Sequence, residues 1–355
     1  MDFGVFILAQ QRGYHQSSQQ VIQNSVEQTV AAEQAGFSNA WYAEHHFNNY
    51  SLSPSPLMMV AHCAALTKRI RLGTAVCILP LYHPLRLLAE VGFADTVSNG
   101  RLDLGVGSGY QEFEFERFGT KLEDAYARYS EILAILRKGM TEQVFSYEGK
   151  FYQVPPSAIS VRTIQNPTPP IWITSGNSDT LRQAARNNDK MFVTALLNGL
   201  DGVKALRAKM EDVAEKENRK LEDLHFGFLR CAYASDNDAE VESYVDNARF
   251  QRRISESLKL RRYQTDDGYM IKEVPSVNDM SLESIRANLP VGSVNYVIDR
   301  MLEEIEILKP NHIALQTQVG DFDQKTMLRQ IDLWGSRIIP AIQKAVGDKK
   351  TAQAA

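Results

Sequence analysis

The sequence predicts one α/β domain, a (β/α)8 barrel with insertions, and three observations carry that expectation. Strand-like and helix-like runs alternate from the first residues, as parallel strands with covering helices require. About eight of the runs are strand-like, the number that closes such a barrel. No shift in composition divides the 355 residues, and chains of this length form single barrels. The barrel is placed at residues 1–346, with the small, polar stretch Gly347–Ala355 as a tail expected to fray.

Phe3–Ala9 is apolar and aromatic and reads as a buried strand. Ile22, Val26 and Val30 recur every four residues, a helical stripe that Gly36 ends as a C′ residue. Asn39–Ala43 is the second strand, and Ser53 with Pro54 opens the helix after it, as cap and first turn. Arg71–Leu79 is a strand, Pro84–Ser98 a helix and Arg101–Gly107 the fourth strand. Tyr129, Ile132, Leu136 and Met140 form one stripe of a helix over 124–140. Residues 141–170 are irregular, with a hairpin at Glu148-Gly149 and the breaker Asn166-Pro167-Thr168-Pro169-Pro170. The alternation resumes with Ile171–Ser175, Met191–Leu196, Phe226–Ala234 and His312–Gln318, and a last helix carries Leu328, Ile331, Trp334, Ile338 and Ile342. Residues 250–290 are charged and aperiodic, the pattern of a solvated surface insertion or a lid.

A formal net charge of -4 supplies no field that attracts nucleic acid or an anionic membrane. No apolar run approaches the roughly 20 residues of a membrane span. The N-terminus lacks the basic region of a secretory signal, so a cytoplasmic location is expected by default. Cys63, Cys77 and Cys231 are too far apart for a CxxC motif or a zinc cluster, and suggest no disulfide framework.

Two strand ends carry the chemistry. Glu44-His45-His46 follows the second strand, where a barrel turns its residues toward the active-site mouth. Successive side chains of a strand point to opposite faces, so His45 and His46 cannot grip one metal ion together, and no metal is expected. One of them facing the mouth could move protons near neutral pH; the competing reading is a hydrogen-bonded core histidine. The second edge is Gly105-Val106-Gly107-Ser108-Gly109. It fails the dinucleotide fingerprint because Tyr110 stands where a third glycine belongs. A strand ending in small residues lets a flat ligand approach the backbone, or simply makes a tight loop. Gln111–Gly119, which follows, is aromatic and acidic rather than a helix packed on a sheet. Ser175–Thr180 lies between a strand and a helix and could hold an anion on free N–H groups, although N-capping by Ser178 would look the same. Arg128 could reach such an anion or lie solvated on its helix.

Taken together, Phe3-Gly4-Val5-Phe6, Ala35-Gly36-Phe37, Glu44-His45-His46-Phe47, Gly73–Pro80, His83-Pro84 with Arg86, and Gly100–Gly107 resemble the bacterial luciferase-like flavin monooxygenases, most of all the luciferase α-subunit type. The resemblance implies a barrel that binds FMN at its C-terminal mouth, where reduced flavin meets dioxygen, forms a C4a-hydroperoxide and oxygenates a small organic substrate. It places His45 on the catalytic histidine, and Ala75 and Val76 on a non-prolyl cis peptide beneath the flavin ring. Gly107 falls in the flavin-binding strand end, Arg128 on a phosphate-binding arginine, and Gly176, Asn177, Ser178 and Thr180 on the phosphate loop. Residues 250–290 fall on the mobile lid.

Ser108 departs from the pattern, since luciferase has a second phosphate-binding arginine there, and the loss of that contact weakens the hold on phosphate. Gly176 replaces a luciferase glutamate. No nicotinamide fingerprint occurs, so a separate flavin reductase is the expected source of FMNH2. A homodimer is implied by the resemblance alone. The mouth aromatics Phe6, Trp41, Tyr82 and Tyr110 favour an apolar or aromatic substrate. Two alternatives share the fold: hydride transfer with the deazaflavin F420, and a non-catalytic flavin-binding partner subunit.

Overall fold

The structure is a computed structural model that describes residues 1–259, 269–270, 274–275 and 278–354. Its centre is a closed barrel of parallel strands: β1 (Asp2–Ile7), β2 (Asn39–Tyr42), β3 (Arg71–Thr74), β4 (Leu102–Gly107), β5 (Ile171–Thr174), β6 (Lys190–Thr194), β7 (Phe226–Cys231) and β8 (His312–Gln316). Each pairs with the next in sequence, Gly73 standing opposite Asp103 between β3 and β4, and β8 returns to β1 with His312 opposite Asp2. The predicted barrel and all eight expected strands are present.

The strands are buried nearly end to end, as expected of a parallel sheet with both faces covered. Outward residues meet α1 (Ser18–Gln34), α2 (Pro56–Leu66), α3 (Pro84–Val97), α4 (Ala125–Thr141), α5 (Ser178–Arg186), α6 (Leu200–Lys216), α7 (Asp238–Lys259) and α8 (Val294–Leu308) in one continuous apolar core, except that α7 packs over the mouth. Inside the lower barrel, Trp41 meets Trp172 and Phe192 edge-on at 5.0 and 4.7 Å. Its indole Nε1 donates to His312 Nε2 at 2.9 Å, so the polar edge of a fully buried ring is satisfied. Trp41 is therefore barrel core and not a mouth residue.

Several local expectations shift. The helix after β2 is capped by Ser55, with Pro56 in its first turn, one Ser-Pro pair later than Ser53-Pro54. The third strand does not run to Leu79: it ends at Thr74, a cis Ala75–Val76 peptide follows, and only Cys77–Ile78 rejoins β4. Gln111–Gly119 contains a short helix, Glu112–Arg117, with Phe113 and Phe115 buried. Residues 250–259 continue the regular α7, and Leu282–Asn288 is helical. The lid expectation for 260–268, 271–273 and 276–277 lies outside the described residues. The last helix spans Ile339–Ala354. The hairpin at Glu148-Gly149 is present, pairing Phe145–Glu148 with Gln153–Ser157. Among the described residues, no helix is long and apolar enough to cross a membrane.

Candidate active site

Beyond β2 the chain leaves the regular strand at Tyr42, and the side chains of the next residues go to different partners. Glu44 and His46 point one way, His45 the other. His45 Nδ1 lies 3.0 Å from Glu114 Oε1, and the same oxygen accepts the His46 N–H at 2.8 Å. Glu114 is fully buried, and its Oε2 accepts no hydrogen bond among the described residues. The His45 ring also meets Tyr50 and Tyr110 edge-on, at 4.8 and 5.8 Å. Glu114 was not foreseen. It is one of three glutamates in Glu112–Glu116, and nothing local separates it from the two solvated ones.

On the other side, Glu44 Oε1 meets His46 Nε2 at 2.8 Å, while Oε2 accepts from Tyr82 Oη at 2.7 Å and the Ile78 N–H at 3.1 Å. Burial pushes the Glu44 carboxyl up, against the lowering pull of His46, Tyr82 and the Ile78 N–H. Glu44 thereby fastens the chain just after the cis Ala75–Val76 peptide. Tyr82 thus serves this buried carboxylate rather than the mouth. Among the described residues no three His, Cys, Asp or Glu side chains group as a metal ligand set.

The glycines of β4 have a different reason from the one expected. A Cβ on Gly105 would stand 1.9 Å from the Thr74 carbonyl oxygen, and one on Gly107 would stand 2.8 Å from Val76 Cγ2. What approaches this backbone is the neighbouring strand, not open space for a ligand. Ala75, Val76 and Ser108 are all partly exposed at the mouth.

Further round, Arg128 lies in the first turn of α4 with its guanidinium 4.5 Å above the Phe151 ring, and donates to Tyr152 Oη at 3.2 Å. Its Nε is buried and has no acceptor among the described residues. At the start of α5 the cap is Asn177, not Ser178: its Oδ1 accepts from the N–H groups of Asp179 and Thr180 at 2.8 and 3.2 Å. That leaves the hydroxyls of Ser178 and Thr180 as donors, beside Gly176, whose missing Cβ would meet nothing within 4 Å. Apart from Arg128, which lies in α4 against Phe151 and Tyr152, the predicted site residues lie at or just past the C-terminal ends of four consecutive strands, β2 to β5.

The opposite half of the mouth holds a cavity of about 490 Å³, within the roughly 300–1,000 Å³ usual for small-molecule sites. Phe6 (β1), Thr194 (β6), Leu229 (β7), Gln316 (β8) and residues of α7 line it, together with Tyr50 and Tyr110. A recess of about 90 Å³ shares Phe6, Thr194 and Leu229 with it and reaches Ala75. His45 stands behind Tyr50 and Tyr110, and also borders a second depression with Gln11, Tyr14 and Tyr269.

The family described as luciferase-like monooxygenase matches residues 1–308. The Sinorhizobium fredii protein y4vJ is 61% identical over 98% of this chain and 99% of its own length. The oxygenase component of the flavin-dependent trigonelline monooxygenase of Acinetobacter baylyi is 27% identical over 99% and 98%. Among solved structures, the monooxygenase RslO1 from Streptomyces bottropensis superposes with a TM-score of 0.81 at 23% identity, over 96% of this chain and 99% of that one.

Proposed function

The chain belongs to the luciferase-like monooxygenase family, and from that premise we propose that it is the oxygenase of a two-component system, taking reduced FMN from a separate reductase and using dioxygen to oxygenate a small organic substrate. The observation that carries this reading is His45, held through Nδ1 by the buried Glu114 and packed on two tyrosines that line the mouth cavity. The name of the Acinetobacter relative, an oxygenase component, supports the separate reductase.

The residues present suit FMN. Arg128 has a buried Nε in want of an acceptor, and the space beside Gly176 is open. Arg128 with the Ser178 and Thr180 hydroxyls would hold the phosphate, helped by the positive end of α5. Gly107 and Ser108 would border it, with no arginine at 108 to add a second charge. Asn177 acts one step back, by fixing the turn. Ala75 and Val76 would lie beneath the ring.

Reduced FMN supplies the electrons that activate dioxygen. The protein's part is to control protons and water. Glu114 on Nδ1 sets the orientation and tautomer of the imidazole, which leaves Nε2 as the proton-carrying atom. Tyr50 and Tyr110 stand edge-on to that imidazole and line the cavity, and α7 lines its other side, where it would limit the access of bulk water.

With reduced FMN from a flavin reductase, incorporation of label from 18O2 into a panel of small aldehydes, ketones and acids identifies a compound that is turned over. His45→Ala should then slow product formation by roughly 10²- to 10⁴-fold, the usual worth of a positioned acid–base group, with FMN affinity little changed. Unchanged turnover would remove His45 from the chemistry, and no labelled product from any compound class would overturn the oxygenase reading.

A further inference from the structure

Resting on the oxygenase reading, we propose that the substrate is a small organic acid and that Arg252 and Lys259 on α7 receive its carboxylate. The mouth divides into two halves. The residues suited to FMN lie on β2 to β5, while the cavity lies over β6, β7, β8 and β1 and is roofed by α7. On this reading the end of the cavity farthest from Ala75, beneath α7, is where the substrate lies.

That cavity is itself two-ended. Phe6, Leu196, Leu197 and Leu229 give it an apolar floor that continues into the recess beside Ala75. The α7 side presents Gln251, Arg252, Ser255, Glu256 and Lys259, spaced three or four apart and so on one helix face. Gln251 and Gln316 exchange amide hydrogen bonds at 3.2 and 3.0 Å, which uses each amide on the other. Ser255 Oγ lies 3.4 Å from Tyr110 Oη, so the groups with charge to offer a ligand are Lys259 and Arg252, the latter shared with Glu256.

The charge on this face does not balance. The α7 arginines that do not line the cavity are matched, Arg249 with Asp246 at 2.8 Å and Arg253 with Asp279. On the cavity face Arg252 holds Glu256 at 2.7 Å, and Lys259 has no carboxylate within ion-pair distance among the described residues. Arg252 Nε is also buried without an acceptor. Lys259 is exposed at the rim of the cavity, and two cations against one carboxylate leave one positive charge over, which favours an anion beside the apolar floor. An acid bound this way lays its hydrocarbon body on Phe6 and Leu229, toward the recess that reaches Ala75, and keeps its carboxylate at α7.

A flavin phosphate would offer the same cations an anion, so the experiment has two arms. In the first, benzoate, phenylacetate and octanoate, each beside its primary amide, are titrated calorimetrically into the flavin-free protein and into Lys259→Gln and Arg252→Gln/Lys259→Gln. At least one acid should bind about tenfold more tightly than its amide, the difference a charge-assisted contact makes, and the variants should lose that preference while keeping the wild-type thermal midpoint. If no acid outbinds its amide, or if the preference survives in Lys259→Gln and in the double variant, the proposal is wrong. In the second arm FMN and riboflavin are compared in the same proteins. A double variant that weakens FMN but not riboflavin assigns the cations to the phosphate and overturns the proposal; equal behaviour supports it. The first arm needs no flavin, so its failure is separate from a failure of reduced-FMN oxidation, which would count against the oxygenase reading alone.

Discussion

At the scale of single residues, the two carboxylates flanking the histidine pair do different work. Glu114 holds His45 and the His46 N–H, and Glu44 holds His46, Tyr82 and the Ile78 N–H. Glu114→Gln keeps the shape and removes the charge that favours the correct tautomer. It should lower turnover by roughly 10- to 100-fold, less than removal of the imidazole itself, and alter the pH profile of turnover while leaving FMN affinity in place. A profile that keeps both its shape and its height would show Glu114 to be structural only. The sequence pointed to His45 through its strand-end position, but its partner lies 69 positions away. No spacing rule covers such a distance.

At the scale of elements, close contact between neighbouring strands and burial of one ion pair set the tolerances. Gly105→Ala would drive a Cβ into the Thr74 carbonyl, 1.9 Å away, with backbone and not a flexible side chain as the obstacle. A loss of about 1–3 kcal/mol or more is expected, whereas Gly176→Ala, which meets nothing within 4 Å, should stay within about 0.5 kcal/mol. Urea titrations of the two variants distinguish them. Arg230 on β7 is fully buried, pairs with Glu304 of α8 at 2.6 Å, and donates to the carbonyls of Leu196, Asn198 and Asn288 at 3.0, 2.9 and 2.8 Å. It ties the loop after β6 and the end of Leu282–Asn288 to the barrel. Arg230→Leu leaves buried Glu304 only the more distant Arg300, 3.9 Å away, strips three carbonyls of their donor, and should cost about 3–5 kcal/mol. A urea midpoint equal to wild type would contradict that account.

At the scale of the molecule, acid sensitivity follows from two imidazoles under the barrel, His312 buried and His225 half-buried. Burial pulls His312 down to about 3, with His225 and Lys190 adding to the effect. Burial first and Lys190 second pull His225 down to about 4. Both are lowered below the unfolded value of 6.5, so the unfolded chain takes up these protons first and acid favours unfolding. Their contribution is complete above about pH 6.5 and is lost as pH falls toward 4 and then 3, at up to about 1.4 kcal/mol per pH unit for each group. His312→Gln keeps an acceptor for Trp41 Nε1 and removes one titration. Its stability at pH 7 should fall, yet decline less steeply between pH 6 and 4 in urea titrations. Parallel slopes would assign the acid sensitivity to other groups.

The order of strands and helices was legible because each element declares itself within a few residues: apolar runs for β1 to β8, four-residue stripes for α1 and α4, and Gly36 as a stop, observed at φ 84. Barrel closure followed from the count and alternation of those runs, and the motifs at two strand ends marked the mouth. The sequence by itself thus determined the fold and pointed to residues 45, 75–76, 107–108, 128 and 176–180 as the candidate site. Only the tertiary structure decided that Glu114 serves His45, that the β4 glycines make room for β3, that Asn177 caps α5, and that α7 turns two cations into an apolar cavity. Local propensity is written in neighbouring residues. Desolvation, charge pairing and close approach depend on what folding brings together from the far side of the barrel.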